Sequence, residues 1–221
     1  MGRGAAVPLP FVFNSLVYMM RLLLLMAIPL LFVLKVNAQS FEVMPGMERI
    51  FIDAQWLKTF DEERKWSLFS RSRATVDYDE NTNLFTGAYL NYTTMSGFGG
   101  TVVGRISSLG AGGDAGIHFF KAIESFMVYA LATVEISSAF AYSWFSIIRY
   151  TPKLNENWRL YSSLELFSNF NTAGHVASVQ RLRAGLDCNG YQFGVALNLS
   201  GLGKDYRTTD NNPGIFIRKQ F

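Results

Sequence analysis

The sequence is poor in the residues that build disulfide frameworks and metal centres. Its one cysteine, Cys188, has no second cysteine to pair with, which excludes an intramolecular disulfide. This cysteine and two histidines are too few ligands to suggest a zinc site. We therefore predict no metal site and no cofactor.

Charge and long apolar runs are scarce as well. Charged residues make up 17% of the chain, below the quarter or so typical of soluble domains. The apolar run Leu22 to Leu34 contains Pro29 and is shorter than the roughly twenty residues that a membrane-spanning helix needs. Glycine and phenylalanine, 19 of each, are abundant instead. In a chain of 221 residues this composition favours one domain of many strands and tight turns.

The segment around the apolar run has the pattern of an export signal. Arg21 precedes the run, and Val36-Asn37-Ala38 places small residues where a signal peptidase cleaves. We expect residues 1–38 to be a signal peptide, with residues 1–19 as a misassigned start and an anchor helix as the rival interpretation. No cysteine follows the run at the position that lipoproteins require.

The formal charge of +3 comes from the same segment. Arg3, Arg21 and Lys35 all precede the expected cleavage site, and the remaining basic and acidic residues balance. The basic isoelectric point is therefore no argument for a nucleic-acid partner, and we predict none.

Beyond residue 65 the chain alternates between apolar and polar residues with a period of two. In Trp158 to Phe170 the even positions are mostly apolar and the odd positions carry Arg159 and Glu165. Turn residues separate such runs. Together they predict ten strands, which start near residues 66, 84, 98, 115, 126, 139, 158, 175, 191 and 213.

Ten strands of this length predict an all-β protein, a transmembrane antiparallel up-and-down β-barrel, with eight or twelve strands as alternatives. The barrel is expected over residues 65–221. Residues 39–64 fit less well. We expect them to form a periplasmic N-terminal extension, although Glu48 to Trp56 also suits a further strand or a helix.

Strand direction follows if Phe221 ends in the periplasm. Gly201 to Asn211, expected to be the longest connection, then lies outside the cell, where long loops are usual. The same direction predicts an aromatic girdle at the periplasmic interface. Its expected members are Trp66, Tyr92, Phe98, Phe126, Tyr150, Trp158, Tyr191 and Phe221.

Three motifs resemble those of bacterial outer-membrane β-barrel proteins, in particular the small porin-like barrels of the Bacteroidetes type. They are Asn212 to Phe221, Arg149 to Leu154 and Tyr191 to Gly194. The resemblance implies an outer-membrane location in contact with lipid. It also implies that the barrel-assembly machinery reads the last strand and its terminal Phe221. It supplies no catalytic residue and no substrate.

The inward-facing phase of the predicted strands is rich in arginine, the side chain best suited to planar anion contacts. The expected lumen arginines are Arg71, Arg73, Arg105, Arg149, Arg159, Arg181, Arg183 and Arg218. We predict a non-enzymatic barrel with a structural role or a narrow, porin-like passage for small polar or anionic solutes.

Two other classes remain as alternatives. One is a secreted soluble barrel whose apolar phase faces inward around a hydrophobic ligand. The other is a lipid-modifying membrane enzyme that uses His118 or His175, both expected towards the extracellular side. The sequence gives no oligomeric state.

Overall fold

The computed structural model describes residues 39–79, 81–108, 110–137, 140–206 and 208–221. The expected signal peptide, residues 1–38, lies outside them and stays a prediction. The described residues form twelve strands: β1 (Ser40–Pro45), β2 (Arg49–Thr59), β3 (Trp66–Asp77), β4 (Thr82–Thr93), β5 (Phe98–Ser107), β6 (Gly110–Ile123), β7 (Phe126–Glu135), β8 (Ala141–Tyr150), β9 (Trp158–Asn171), β10 (Gly174–Cys188), β11 (Tyr191–Leu202) and β12 (Thr208–Gln220). No helix among these residues is long and apolar enough to cross a membrane.

The strands form one closed antiparallel barrel. Each strand pairs with the next along the chain, and β1 pairs with β12 to close the ring. The fold-class prediction is confirmed, with twelve strands rather than ten. An even number returns both ends of the described chain to one rim, which we call the terminal rim. The other end of the barrel is the opposite rim.

The two additional strands come from the segment that was expected to be a periplasmic extension. Residues 40–59 form β1 and β2, so the assignment of residues 39–64 outside the barrel is wrong for most of that range. The inward side of these strands mixes apolar Met44 and Phe51 with charged Glu42 and Asp53, all buried. This mixture weakens the polar-inside, apolar-outside alternation that marks the later strands.

The barrel is polar inside and apolar outside. Among the described residues, eighteen buried side chains are polar or charged and ten are hydrophobic, so the interior is not an apolar core. Aliphatic residues face outward and are exposed, among them Leu90, Val102, Ile117, Val195 and Ile215. A soluble calyx needs the reverse arrangement, so the alternative of a hydrophobic-ligand carrier is wrong. A membrane-spanning barrel needs polar residues inside and apolar residues outside, as observed here.

Aromatic side chains surround the terminal rim on the outer face, as predicted. Trp66 packs against Tyr92 with ring centroids 5.0 Å apart, and Phe98 packs against Phe119 at 4.8 Å. Nearby, the Lys219 ammonium lies 3.6 Å from the centre of the Tyr191 ring. Amphipathic rings and an ammonium group held at this height fit the boundary between hydrocarbon and headgroups.

The connections between strands are short at both rims. The expectation of a long loop at Gly201 to Asn211 is wrong, because β11 continues to Leu202 and β12 begins at Thr208. Residues 208–212 pair in register with residues 198–202 despite their turn-like composition. The longer connections, 60–65 and 151–157, lie at the terminal rim. Loop length therefore does not orient the barrel in the membrane.

Candidate functional site in the barrel lumen

Six of the eight predicted lumen arginines meet at mid-height in the barrel, together with three carboxylates. We call this group the central cluster. Its members are Glu42, Asp53, Arg71, Arg73, Arg149, Glu165, Arg181, Arg183 and Arg218.

Strand register places these charges at one height. Asp53 on β2 is the cross-strand neighbour of Arg73 on β3, and Glu165 on β9 is the neighbour of Arg181 on β10. Opposite charges directly across neighbouring strands stabilise that register. The alternation of the strands then turns all of these side chains into the lumen.

The contacts of Glu165 with Arg71 and Arg73 span the lumen. Arg71 binds Asp53 through Nε at 2.6 Å and Glu165 through Nη2 at 2.7 Å, so one guanidinium joins β2, β3 and β9. Glu165 also accepts from Arg73 at 3.0 Å and from Arg181. Arg71 and Asp53 are each only 3% exposed at their side chains. These ion pairs tie distant walls of the barrel to each other.

A second group of contacts lies beside the first. Glu42 on β1 accepts two hydrogen bonds from Arg183 on β10, from Nε at 2.9 Å and Nη2 at 2.8 Å. Arg218 on β12 lies 3.9 Å from the far oxygen of the same carboxylate. Glu42 thus forms hydrogen bonds with Arg183, but it lies too far from Arg218 to form one.

Arg149 and Arg218 share a neutral partner. The Gln55 Oε1 atom accepts from Arg218 Nη2 at 3.2 Å and from Arg149 Nη2 at 3.4 Å. The Nε atoms of both arginines are buried and lack a hydrogen-bond partner among the described residues. The central cluster as a whole has six arginines and three carboxylates, an excess of three positive charges.

The cluster narrows the lumen to a small cavity of about 20 Å³. A space of that size accepts about one water molecule. Its lining includes Gln55, Arg149, Tyr161 and Arg218. The barrel therefore has a cationic waist rather than an open bore.

The two other predicted arginines lie outside the waist. Arg105 is held between Asp114 at 2.8 Å and Glu135 at 3.1 Å near the opposite rim, so two carboxylates already neutralise it. Arg159 is exposed at the terminal rim, across from Asp187 on the neighbouring strand. Neither is placed to form an anion site with the other six.

The mouth at the opposite rim is acidic. Besides the Arg105 pairs, Arg49 bridges Asp77 and Asp210 there. The lumen thus passes from an acidic mouth to a cationic waist.

Sequence reasoning missed two of the three carboxylates of the waist and the amide that Arg149 and Arg218 share. Glu42, Asp53 and Gln55 lie on β1 and β2, which were assigned outside the barrel. The alternation of Phe51, Asp53 and Gln55 with apolar neighbours is the signal that could have found them. Among the described residues, no group of three or more histidine, cysteine, aspartate or glutamate side chains is arranged to hold a metal ion.

The two histidines lie in different places. The extracellular position expected for His118 assumed that a strand begins near residue 115, but β6 begins at Gly110 and His118 lies far along it, near the terminal rim. That rim is the one that we expect in the periplasm. His118 is buried in the lumen between the hydroxyls of Thr93 at 2.9 Å and Thr101 at 2.7 Å. These contacts satisfy both ring nitrogens.

His175 lies near the opposite rim and pairs in register with Phe170, whose side chain faces outward. Its Nδ1 is 2.8 Å from the Gly203 carbonyl oxygen, which can only accept, so Nδ1 carries the proton. Its Nε2 is then an acceptor for the Ser178 hydroxyl at 2.7 Å. A histidine oriented in this way is able to take a proton from a serine.

Comparison with solved structures shows which barrel fold this is. A KdgM porin in complex with disordered oligogalacturonate superposes with a TM-score of 0.51 and 10% identity, over 82% of this chain and 99% of that one. A second KdgM porin structure gives 0.50 and 11% over the same shares. LpxR from Salmonella typhimurium gives 0.49 and 8%, also over 82% and 99%. The chain has the fold of an outer-membrane porin barrel.

No protein-family model matches the sequence, and no curated protein matches it.

Proposed function

We propose that this protein is a non-enzymatic, integral β-barrel of the bacterial outer membrane that gives narrow passage to small anions. The cationic waist carries the proposal, because six arginines against three carboxylates favour negative charge at the narrowest point of the lumen. The apolar outer face and the aromatic girdle support the location in a membrane.

The size of the waist limits the solutes. The oligogalacturonate of the KdgM complex belongs to that porin, and a sugar chain does not fit a cavity of about 20 Å³. Wide porins use about 16 to 18 strands, and twelve strands with large inward side chains leave much less bore. We therefore assign small inorganic anions to this pathway and exclude oligosaccharides.

Current through planar bilayers tests this function. Purified barrel in a gradient of potassium chloride is expected to give small steady currents whose reversal potential shows anion selectivity. Replacement of chloride by gluconate should reduce the current, because gluconate is too large for the waist.

The matched variants remove one arginine each. Arg149→Gln lowers the cationic excess at the waist, so it should reduce anion selectivity. Arg105→Gln removes the same charge from the acidic mouth, away from the waist, so anion selectivity should fall less with it than with Arg149→Gln. Cation-selective current, or no current from correctly folded barrel, would contradict passage of anions and leave a structural role.

From the sequence resemblance we also propose that the barrel contacts outer-membrane lipid and that the barrel-assembly machinery binds its last strand. Phe221 is 59% exposed at the terminal rim, where lipid and the barrel-assembly machinery are the expected contacts. We also propose an affiliation with small barrels of the Bacteroidetes type. Phe221→Ser should lower the amount of barrel recovered in outer membranes while the stability of the assembled barrel is unchanged.

A second candidate function is carried by His175 and Ser178. The pair faces outward near the opposite rim, the Ser178 hydroxyl points to His175 Nε2 at 2.7 Å, and Ser168 lies 2.8 Å from the same hydroxyl. A serine activated in this way suits attack on a lipid ester, and with Ser178 only 8% exposed the ester must reach it through a narrow opening beside His175.

A fluorophosphonate probe separates the two functions. A hydrolase should be labelled at Ser178, and His175→Ala should abolish labelling while the barrel stays folded. Ser168→Ala serves as the control, since it keeps the His175–Ser178 contact. Absence of labelling in the folded protein would exclude the enzyme and leave the passage function.

A further inference from the structure

We infer that the waist of the lumen binds one monoatomic anion of the halide class between Arg149, Arg218 and Gln55. The inference rests on the proposed passage for anions and deepens it. It concerns equilibrium binding at one site, which does not require that any current flows.

Arg149 and Arg218 share the side-chain amide of Gln55. Two guanidinium groups compete for one neutral oxygen, Gln55 Oε1, at 3.2 and 3.4 Å. Charged hydrogen bonds are about twice as strong as neutral ones, so a position between two arginines ordinarily holds a carboxylate or another anion. Here the side chain that fills it carries no charge.

The waist also contains buried hydrogen-bond donors that have no acceptor among the described residues. Arg149 Nε and Arg218 Nε are buried and have no hydrogen-bond partner among the described residues. Tyr161 is only 1% exposed, lines the same cavity and accepts from Arg218 Nη1 at 3.4 Å, which leaves its own hydroxyl hydrogen as a further donor. Arg149, Arg218 and Tyr161 all line the cavity, and we propose that the anion accepts from these buried donors.

The positive charge of the central cluster exceeds its negative charge. A buried charge without a counterion is costly, and arginine cannot relieve the cost by losing its proton. Glu42 does not relieve it either, because its oxygens bind Arg183 at 2.8 Å and lie 3.9 Å from Arg218. We infer that the remaining excess of positive charge at the waist is balanced by an anion from solution.

The size of the cavity selects the class of anion. Its volume of about 20 Å³ is close to the space that one water molecule occupies. Chloride and bromide are single atoms of similar size, whereas sulfate, acetate and gluconate are larger. We therefore assign the site to a halide ion.

Thermal unfolding of the folded barrel in detergent micelles tests the site. Sodium gluconate is replaced stepwise by sodium chloride or bromide at constant ionic strength. The midpoint should rise saturably by about 5 to 10 °C, as expected when a ligand at roughly 100 times its Kd binds only the folded state. Anomalous scattering from a bromide-soaked crystal should show one peak beside Gln55.

Gln55→Glu is the decisive variant. It gives Arg149 and Arg218 a charged acceptor in place of the amide oxygen, so the variant should lose the response to chloride, whereas its midpoint in gluconate also reflects the lost amide hydrogen bond to Asp53 Oδ2 at 2.6 Å. Arg149→Gln should also lose the response, by removal of a donor. Arg105→Gln, far from the waist, should respond like the parent protein.

A parent protein whose midpoint is equal in chloride and gluconate would overturn the inference. An equal chloride response in Gln55→Glu would overturn it as well, even if Arg149→Gln failed to fold. The two proposals fail separately. Saturable halide binding without current would refute passage and keep the site, whereas anion current without saturable binding would refute the site and keep passage.

Discussion

The side chain of Asn212 on β12 forms hydrogen bonds with the backbone of Arg49 at the start of β2. The side-chain Nδ2 of Asn212 donates to the Arg49 carbonyl oxygen at 3.0 Å, and its Oδ1 accepts from Arg49 N at 3.4 Å and Glu48 N at 2.9 Å. Asn212 is 1% exposed. Gly46 makes this approach possible, because a Cβ atom there would lie 2.2 Å from Asn212 Oδ1. The contact fastens the seam where β12 meets the first hairpin.

Loss of this contact should weaken the closed barrel. Asn212→Leu removes the acceptor of the partly buried Glu48 and Arg49 N–H groups and one of the two donors to the Arg49 carbonyl, which keeps the hydrogen bond from Gly46 N at 3.1 Å, and an unsatisfied group of this kind costs about 1–3 kcal/mol. The free energy of unfolding from guanidinium titration in micelles should fall by at least that amount. Asn211→Leu, one position away on the outward face, should change it little. Equal effects of the two variants would contradict a specific role for Asn212.

The central cluster should respond strongly to loss of one carboxylate. Asp53→Asn leaves Arg71 and Arg73 with one fewer buried counterion, and breaking a buried pair in this way costs about 3–5 kcal/mol. Thermal unfolding followed by gel mobility with and without heating measures the loss.

A matched control for Asp53 lies at the opposite rim. Asp77 pairs with Arg49 at 3.0 Å, but both side chains are 28% exposed. Partly hydrated pairs contribute about 0–1 kcal/mol, so Asp77→Asn should shift the unfolding midpoint much less than Asp53→Asn. A larger shift for Asp77→Asn would mean that the buried pairs of Asp53 stabilise the barrel less than the partly exposed pair of Asp77.

The strands from Trp66 onward could be predicted because their alternation is regular and each side faces one environment. Apolar residues meet lipid and polar residues meet the lumen, so a period of two appears in the sequence. The two missed strands break this rule. Met44 and Phe51 lie inside the barrel, where they pack near Tyr161 and Phe216, so their segment lacks the usual contrast.

The candidate site was predictable in part for the same reason. Register and alternation turn Arg71, Arg181 and Arg218 inward, and that follows from local sequence. The partners do not follow, because Glu165 meets Arg71 and Arg73 across the lumen, at separations of 94 and 92 residues in sequence. Contacts across a closed barrel depend on strand number and stagger, which local patterns do not encode.

The turn 60–65 at the terminal rim should make stability depend on pH. Hydrogen bonds from the backbone N–H groups of Trp66 at 2.7 Å and Lys65 at 2.9 Å hold the pKa of Asp61 below its ordinary value of 3.8. A depressed pKa in the folded state contributes stability above the unfolded pKa. That contribution is lost as pH falls through the folded pKa.

The comparison of Asp61→Asn with the parent protein isolates this group. The parent should be the more stable of the two at neutral pH, and the difference should shrink as pH falls below about 4. Unfolding midpoints measured from pH 7 down to about pH 2 give the profile. A difference that stays constant over this range would show that the carboxylate charge does not stabilise the turn.

Barrel orientation is open to a direct test, because neither rim has long loops. We expect the terminal rim in the periplasm. In a Cys188→Ser background, Ala173→Cys places an exposed thiol at the opposite rim and Glu156→Cys places one at the terminal rim. A maleimide that cannot cross the outer membrane should label the first variant in intact cells and both variants after lysis. Labelling of only Glu156→Cys in intact cells would reverse the orientation, and the acidic mouth would then face the periplasm.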